Sequence, residues 1–232
     1  MITATRTWTP AESRDWGDSK NADVRLDHIS YAAGPEGVGA AAQRLGAALG
    51  VGFRDGGMHP GFGTRNFVCP LAGGVYLEVV GALEHPASDK APFGQAVKQR
   101  TAAGGGWLAW VVAVDDIAPF EARLGRQAVA GHRRRPDGVD LNWRQVGVLD
   151  LMDDPALPFF IQWAGDPENH PAVGGSAVPS LDQVEICGDP DKIAEWLGTP
   201  LDRDVDVEWV QDEDPGVVAV HFTTARGPVR ID

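Results

Sequence analysis

The feature that most constrains this chain is a faint internal repeat. The run Leu26-Asp27-His28-Ile29 opens an apolar segment near the start of the sequence. A similar run, Leu181-Asp182-Gln183-Val184, opens another segment about 150 residues later, and helical spacing of apolar residues followed by further strands comes after each. Sequence similarity at such an interval is typical of a duplicated supersecondary unit. The sequence therefore predicts modules of one repeated type.

The first module, residues 23–82, has the pattern of a βαβββ unit. A strand over 24–33 precedes apolar residues at helical spacing over 36–49, and Gly50 and Gly52 then act as stop signals. A loop rich in Gly and Pro leads into the remaining strands of the unit.

The rest of the chain repeats this plan. A connecting helix over 92–103 leads to a second βαβββ module at 107–164, and a polar, Pro-rich linker leads to a third, degenerate module at 180–232. Residues 1–22 show no period and are predicted to form an N-terminal tail. The expected fold class is α+β, with curved, cupped mixed or antiparallel sheets and helices on their outer faces. Which modules share one cup is left open.

Composition limits the partners. The chain is 43% hydrophobic, enough for a sizeable core, and its formal charge of −13 argues against nucleic acid, which needs a dense cationic surface. The expected partner is a small-molecule substrate, and a homodimer is a further expectation. The one compact basic cluster, Arg133-Arg134-Arg135, precedes a Pro-Asp-Gly turn, which indicates a solvated hairpin tip. Attraction of an anionic substrate is the alternative.

The cysteines and the apolar segments bear on the compartment. Cys69 and Cys187 lie in different modules without CxxC spacing, which favours free thiols in a reducing environment. No apolar run is long enough to cross a membrane, and the first 22 residues lack a stretch of signal-peptide type. We therefore expect a cytoplasmic protein that does not associate with membranes.

Two polar side chains stand inside apolar strands. His28 lies in the first strand of module one, and Glu78 lies within the run from Gly74 to Val80. An imidazole and a carboxylate in such positions either face a cleft or need a partner, because buried charge is costly. They are candidate metal ligands. A buried His28–Glu78 hydrogen-bonded pair without metal is the alternative.

Over residues 24–172 the sequence resembles the vicinal oxygen chelate superfamily, and within it the glyoxalase-like domain family. The motifs that carry this resemblance occur in the family's order: Leu26-Asp27-His28, the loop 59–66, Tyr76-Leu77-Glu78, the hairpin 135–138 running into Asn142-Trp143-Arg144, and the segment 157–163.

The resemblance implies a divalent metal (Zn, Mn, Fe, Ni or Co) that chelates two neighbouring oxygens of a small metabolite. It implies His28 and Glu78 as ligands, with Glu78 also able to act as a catalytic base. Overlaying Phe160-Ile161-Gln162 on Tyr76-Leu77-Glu78 makes Gln162 the third ligand. Trp110 stands where a second histidine is expected, and an indole is no metal ligand, which argues against a ring-cleaving iron dioxygenase.

Five residues are candidates for substrate binding. His59 lies in a Gly-rich loop and could be a ligand, a base or a turn element, while Arg65 and Asn66 begin a strand and either contact substrate or anchor the loop. Trp143 and Arg144 alternate on a hairpin strand, so one of them faces the cup.

The function expected from these residues is lyase or isomerase chemistry through a metal-stabilised enediolate or alkoxide. The alternative is a metal-free protein that binds or sequesters a small molecule.

Overall fold

The computed structural model describes residues 24–198, 206–212 and 214–232. The predicted tail, residues 1–22, lies outside this part of the chain. The first module supplies one helix, α1, and four strands: β1 (Arg25–Ala32), α1 (Val38–Leu49), β2 (Arg54–His59), β3 (Thr64–Pro70) and β4 (Tyr76–Ala82).

Two helices follow β4, and the second module then adds four strands and two helices. In chain order these elements are α2 (Pro86–Lys90), α3 (Pro92–Ala102), β5 (Gly106–Ala113), α4 (Ala118–Leu124), β6 (Val129–Arg134), β7 (Asp140–Val146), α5 (Val148–Asp153) and β8 (Phe159–Ala164).

The eight strands of these two modules close into one barrel, in the order β1-β4-β3-β2-β6-β7-β8-β5. The two halves join where β1 runs antiparallel to β5 and where β2 meets β6. Modules one and two therefore share one cup, which the sequence had left open. The mixed pairing and the helices around the barrel confirm the predicted α+β class.

The C-terminal part forms a separate mixed sheet in the order β10-β9-β11-β12. Its elements are β9 (Ser180–Cys187), α6 (Pro190–Leu197), β10 (Asp206–Val210), β11 (Gly216–Thr224) and β12 (Gly227–Ile231). This sheet packs on the outer face of the barrel, where Val220 and Phe222 share one apolar core with Trp110 and Val112. None of the helices in the described ranges is long and apolar enough to span a membrane.

Strand alternation divides the buried side chains into two layers. On β5, Trp110 and Val112 point outward into the core beneath α1 and the C-terminal sheet, whereas Ala109 and Val111 point into the barrel. The Trp110 indole donates a hydrogen bond to the carbonyl of Ala156 outside the barrel. The inner layer therefore determines what the barrel can bind.

Candidate active site

The barrel interior combines polar side chains with an aromatic wall around a cavity of about 30 Å³, roughly the room for one small polar group. Six polar residues come from six different strands. The lining residues are His28, His59, Phe62, Asn66, Tyr76, Glu78, Phe93, Arg133, Trp143, Gln145, Phe159, Ile161 and Trp163.

His28 and Asp27 form a buried pair on β1. A β-bulge lies between Leu26 and His28, so Asp27 is an extra residue in the strand and its side chain turns toward that of His28. Asp27 Oδ1 lies 2.5 Å from His28 Nδ1, and both residues are less than 5% exposed. The His28 ring stacks on Tyr76 with ring centres 4.4 Å apart.

Asp27 is held ionised. Burial alone would raise the pKa of its carboxyl, but hydrogen bonds from His170 and His28 lower that pKa well below its ordinary value. Its second oxygen lies 3.0 Å from both Trp163 Nε1 and His170 Nε2. Because an ionised carboxylate only accepts, Nδ1 of His28 carries the proton, and Nε2 is left free on the Glu78 side of the ring.

Glu78 faces that nitrogen across the cavity, with Oε2 3.9 Å from His28 Nε2. Ser30 donates to Oε2 at 2.5 Å, and Asn66 donates to Oε1 at 2.6 Å. Burial would raise the pKa of Glu78, yet the nearby histidines and these two donors lower it below its ordinary value. Glu78 is thus an anion whose two oxygens are both already hydrogen-bonded.

His59 also lies on the inner face, and its environment keeps it neutral. Burial lowers the pKa of its imidazole to about 3. Nδ1 is hydrogen-bonded to Thr64 Oγ1 at 2.8 Å, and the ring meets the edge of Trp143 at 5.8 Å between centres. His59 is therefore a rigid, uncharged part of the wall.

Arg133 enters the cavity from β6, although the sequence favoured a solvated hairpin tip for its cluster. β6 alternates, so Arg134 is exposed while Arg133 is 2% exposed. Within the described residues the Arg133 guanidinium has no hydrogen-bonded or ion-paired partner, and its Nε is fully enclosed. Gly56 leaves room for it, since a Cβ there would lie 2.9 Å from Nη1. The sequence interpretation was wrong for this one arginine.

Three predicted site residues lie elsewhere. Gln162 is on the opposite face of β8 from Ile161, and its amide bonds the backbone of Asp115 and Ile117. The structure does not bring Gln162 together with the histidine and glutamate, because the overlay of the two modules was one residue out of phase and such a slip reverses the face. Arg65 pairs with Asp55 at 2.8 Å, and Arg144 pairs with Glu121 at 2.6 Å, both on the outside.

Trp143, in contrast, is the member of its hairpin pair that faces inward. Its indole lies across Gly131 on β6, where a Cβ would come within 2.1 Å of Cε2. The indole N–H donates to Gln145 Oε1 at 2.7 Å. Asn66 likewise lies inside the barrel through its bond to Glu78. With His59, three of the five candidates for substrate binding therefore line the cavity.

A larger groove of about 770 Å³ adjoins the inner cavity. Trp163 lines both spaces, and Asp27 and His170 lie on the groove side. Sequence reasoning missed Asp27, Arg133 and His170 as site residues. The adjacency of Asp27 to His28 was the one available signal, since nothing local reveals that His170 folds back onto β1.

The donor set does not fit the divalent metal that the sequence predicts. His28 Nε2, the His59 imidazole and Glu78 Oε2 are the possible donors in the cavity wall, and both oxygens of Glu78 already accept hydrogen bonds. Across residues 24–198, 206–212 and 214–232, no three His, Cys, Asp or Glu side chains converge as ligands. The Arg133 guanidinium lines the same cavity and would repel a second cation.

Comparison with known proteins identifies the family and the fold. Residues 26–201 match the model of a family described as a glyoxalase-like domain. A hypothetical protein from Staphylococcus aureus is 16% identical over 90% of this chain and 86% of its own, with a TM-score of 0.58, which shows a shared fold. No curated protein sequence matches the chain.

Two methylmalonyl-CoA epimerase structures are more distant. The Mycobacterium tuberculosis protein is 14% identical, over 62% of this chain and 89% of its own, with a TM-score of 0.40. A Streptomyces coelicolor variant in complex with 2-nitronate-propionyl-CoA is also 14% identical, over 62% of this chain and 94% of its own, with a TM-score of 0.40.

Proposed function

The chain belongs to the glyoxalase-like domain family, and we propose that its barrel cavity is the active site of an isomerase-type or lyase-type enzyme that moves a proton on a small oxygen-bearing metabolite. The observation that carries this proposal is the buried Asp27–His28 pair. Its 2.5 Å contact fixes the tautomer of the imidazole and leaves Nε2 on the side of the ring that faces Glu78.

His28 Nε2 is the proposed proton acceptor. Asp27 holds Nδ1–H and stabilises the imidazolium that forms when Nε2 takes a proton from a carbon next to a carbonyl group. Glu78, 3.9 Å away and ionised, lowers the energy of the same imidazolium. The sequence assigned Glu78 the role of base, whereas its lowered pKa and two donors suit an electrostatic role.

The proposed chemistry runs without a metal. The resemblance in sequence implied a metal-stabilised enediolate, but the donor chemistry described above supports acid–base catalysis by side chains. Proton transfer by a positioned imidazole typically contributes about 100-fold to 10,000-fold in rate.

A second candidate is the binding and sequestration of a small molecule. The aromatic wall favours it, because the lining includes five large apolar rings besides Tyr76: Phe62, Phe93, Trp143, Phe159 and Trp163. The small inner volume and the unpaired charge of Arg133 favour the enzyme, since both suit a compact polar group over an apolar guest.

Exchange of carbon-bound hydrogen for deuterium tests the proposal. A panel of 2-hydroxy and 2-oxo compounds is incubated with the protein in D2O and followed by proton NMR. We expect exchange with the unmodified protein and none above background with His28→Gln. His132→Gln is the matched control, because His132 is exposed on the outside of β6. Equal exchange by the His28 variant would overturn the proposal, and tight binding without exchange would support sequestration.

A further inference from the structure

The guanidinium of Arg133 is a buried cation without a partner. The residue is 2% exposed and lines the inner cavity, and within the described residues no acceptor hydrogen-bonds its guanidinium. Glu78 lines the same cavity and its charge favours the guanidinium, but it accepts hydrogen bonds from Ser30 and Asn66 and forms no ion pair with Arg133. A buried charge without a hydrogen-bonded partner is costly and is normally paired.

We propose that Arg133 is the anion-recognition residue of this cavity and that the ligand it takes is a small monocarboxylate. This inference rests on the proposed function, because it names the substrate class of the same site. The guanidinium fork matches the two oxygens of a carboxylate and holds them in one plane.

Charge and volume favour a carboxylate over a phosphate. The cavity holds one unpaired cation near the ionised Glu78, with Asp27 behind His28, so a dianion would meet one positive and two negative groups. The volume of about 30 Å³ suits the planar head of a carboxylate. Trp163 is part of the wall of both this cavity and the larger groove.

The position of Arg133 also fits the proposed proton transfer. Arg133 and His28 line one small cavity from strands on opposite halves of the barrel, and Glu78 lies within electrostatic reach of both. A carboxylate held by Arg133 therefore brings its neighbouring carbon toward Nε2 of His28. Arg133 stabilises negative charge that develops on the substrate when the proton leaves.

The test measures binding separately from catalysis. Thermal unfolding and tryptophan fluorescence are recorded with sodium pyruvate, sodium glycolate, the neutral amides of both acids and inorganic phosphate, at constant ionic strength. Arg133→Met is compared with Arg134→Met, the exposed neighbour on the same strand. We expect the carboxylates alone to raise Tm by several degrees in the unmodified protein and in Arg134→Met, and the shift to vanish in Arg133→Met.

Three results would overturn the proposal: no carboxylate response in the unmodified protein, an undiminished response in Arg133→Met, or a phosphate response at least as large as the carboxylate response. Arg133→Lys guards against a folding defect, because it keeps the charge without the fork and is expected to bind at least tenfold more weakly. Carboxylate binding through Arg133 without deuterium exchange would overturn the proposed function and leave this inference standing. Deuterium exchange on a neutral ketone, without any carboxylate response in the unmodified protein, would overturn this inference and leave the proposed function standing.

Discussion

Asp27 and His28 are consecutive residues, yet their side chains are hydrogen-bonded to each other at 2.5 Å inside the protein. In a regular strand they would point to opposite faces, and the bulge at the start of β1 removes that constraint. One local irregularity therefore produces an oriented acid–base pair from a dipeptide.

Substitution of Asp27, which accepts the hydrogen bond from His28, tests whether the pair supports catalysis. Asp27→Asn keeps the size of the side chain but lets an amide N–H face Nδ1, which favours the wrong tautomer of His28. We expect deuterium exchange on an active compound to fall roughly 100-fold or more with little change in KM. The measurement is the exchange rate against substrate concentration, with nitrogen NMR reporting the tautomer. An unchanged rate would show that His28 does not depend on Asp27.

Metal removal should leave the protein unchanged. Because no three ligand side chains converge within the described residues and the cavity holds a buried cation, purified protein is expected to hold well below one equivalent of transition metal. Tm should be the same with a chelator, or with added Zn²⁺, Mn²⁺ or Ni²⁺. A stoichiometric metal that is lost in a His28→Ala/Glu78→Ala variant of unchanged circular dichroism would contradict this expectation and restore the metal-dependent reading.

His59 should give the folded protein a specific sensitivity to acid. Burial lowers its pKa to about 3 from an ordinary 6.5, so between these pH values the unfolded chain binds a proton that the folded chain does not. The free energy of unfolding then falls as pH falls, by at most about 1.4 kcal/mol per pH unit for this group. The lowered pKa values of Asp27 and Glu78 add a loss of the same sign below about pH 4.

Urea unfolding at several pH values checks this prediction. His59→Gln should flatten the dependence between pH 6.5 and about 4.5, a range above the ordinary carboxyl pKa values, while His132→Gln at the surface should not. Parallel curves for the unmodified protein and the His59 variant would refute the assignment.

The contact of Trp143 with Gly131 should tolerate no side chain. A Cβ at residue 131 would lie 2.1 Å from the indole, which is fixed in turn by Gln145. Gly131→Ala is therefore expected to destabilise the protein by about 1–3 kcal/mol and to change its tryptophan fluorescence. Gly61→Ala is the control, because a Cβ at residue 61 meets nothing within 4 Å. Equal stability of the two variants would contradict the packing described here.

The fold class and part of the polar site follow from local patterns. The order of strands and helices predicts the α+β class, and His28 and Glu78 stand out because each interrupts an apolar strand. Gln162 was placed on the wrong face of β8 because pattern matching between modules does not fix register to one residue. Arg133 was missed for another reason. Three consecutive arginines before a turn are typical of a solvent-exposed segment, and only the strand pairing of β6 shows that Arg133 faces the barrel interior while Arg134 faces solvent.

The C-terminal sheet carries none of the cavity residues, but it covers the apolar outer face of β1 and β5, with Phe222 and Ile186 fully enclosed there. A polypeptide truncated before residue 180 would keep every proposed catalytic group but would expose this apolar surface to solvent. Such a surface promotes aggregation and is recognised by chaperones and proteases. The activity of a cell depends on the amount of folded enzyme as well as on its active site. Selection for activity would therefore also act on the C-terminal sheet, although it lies far from the cavity.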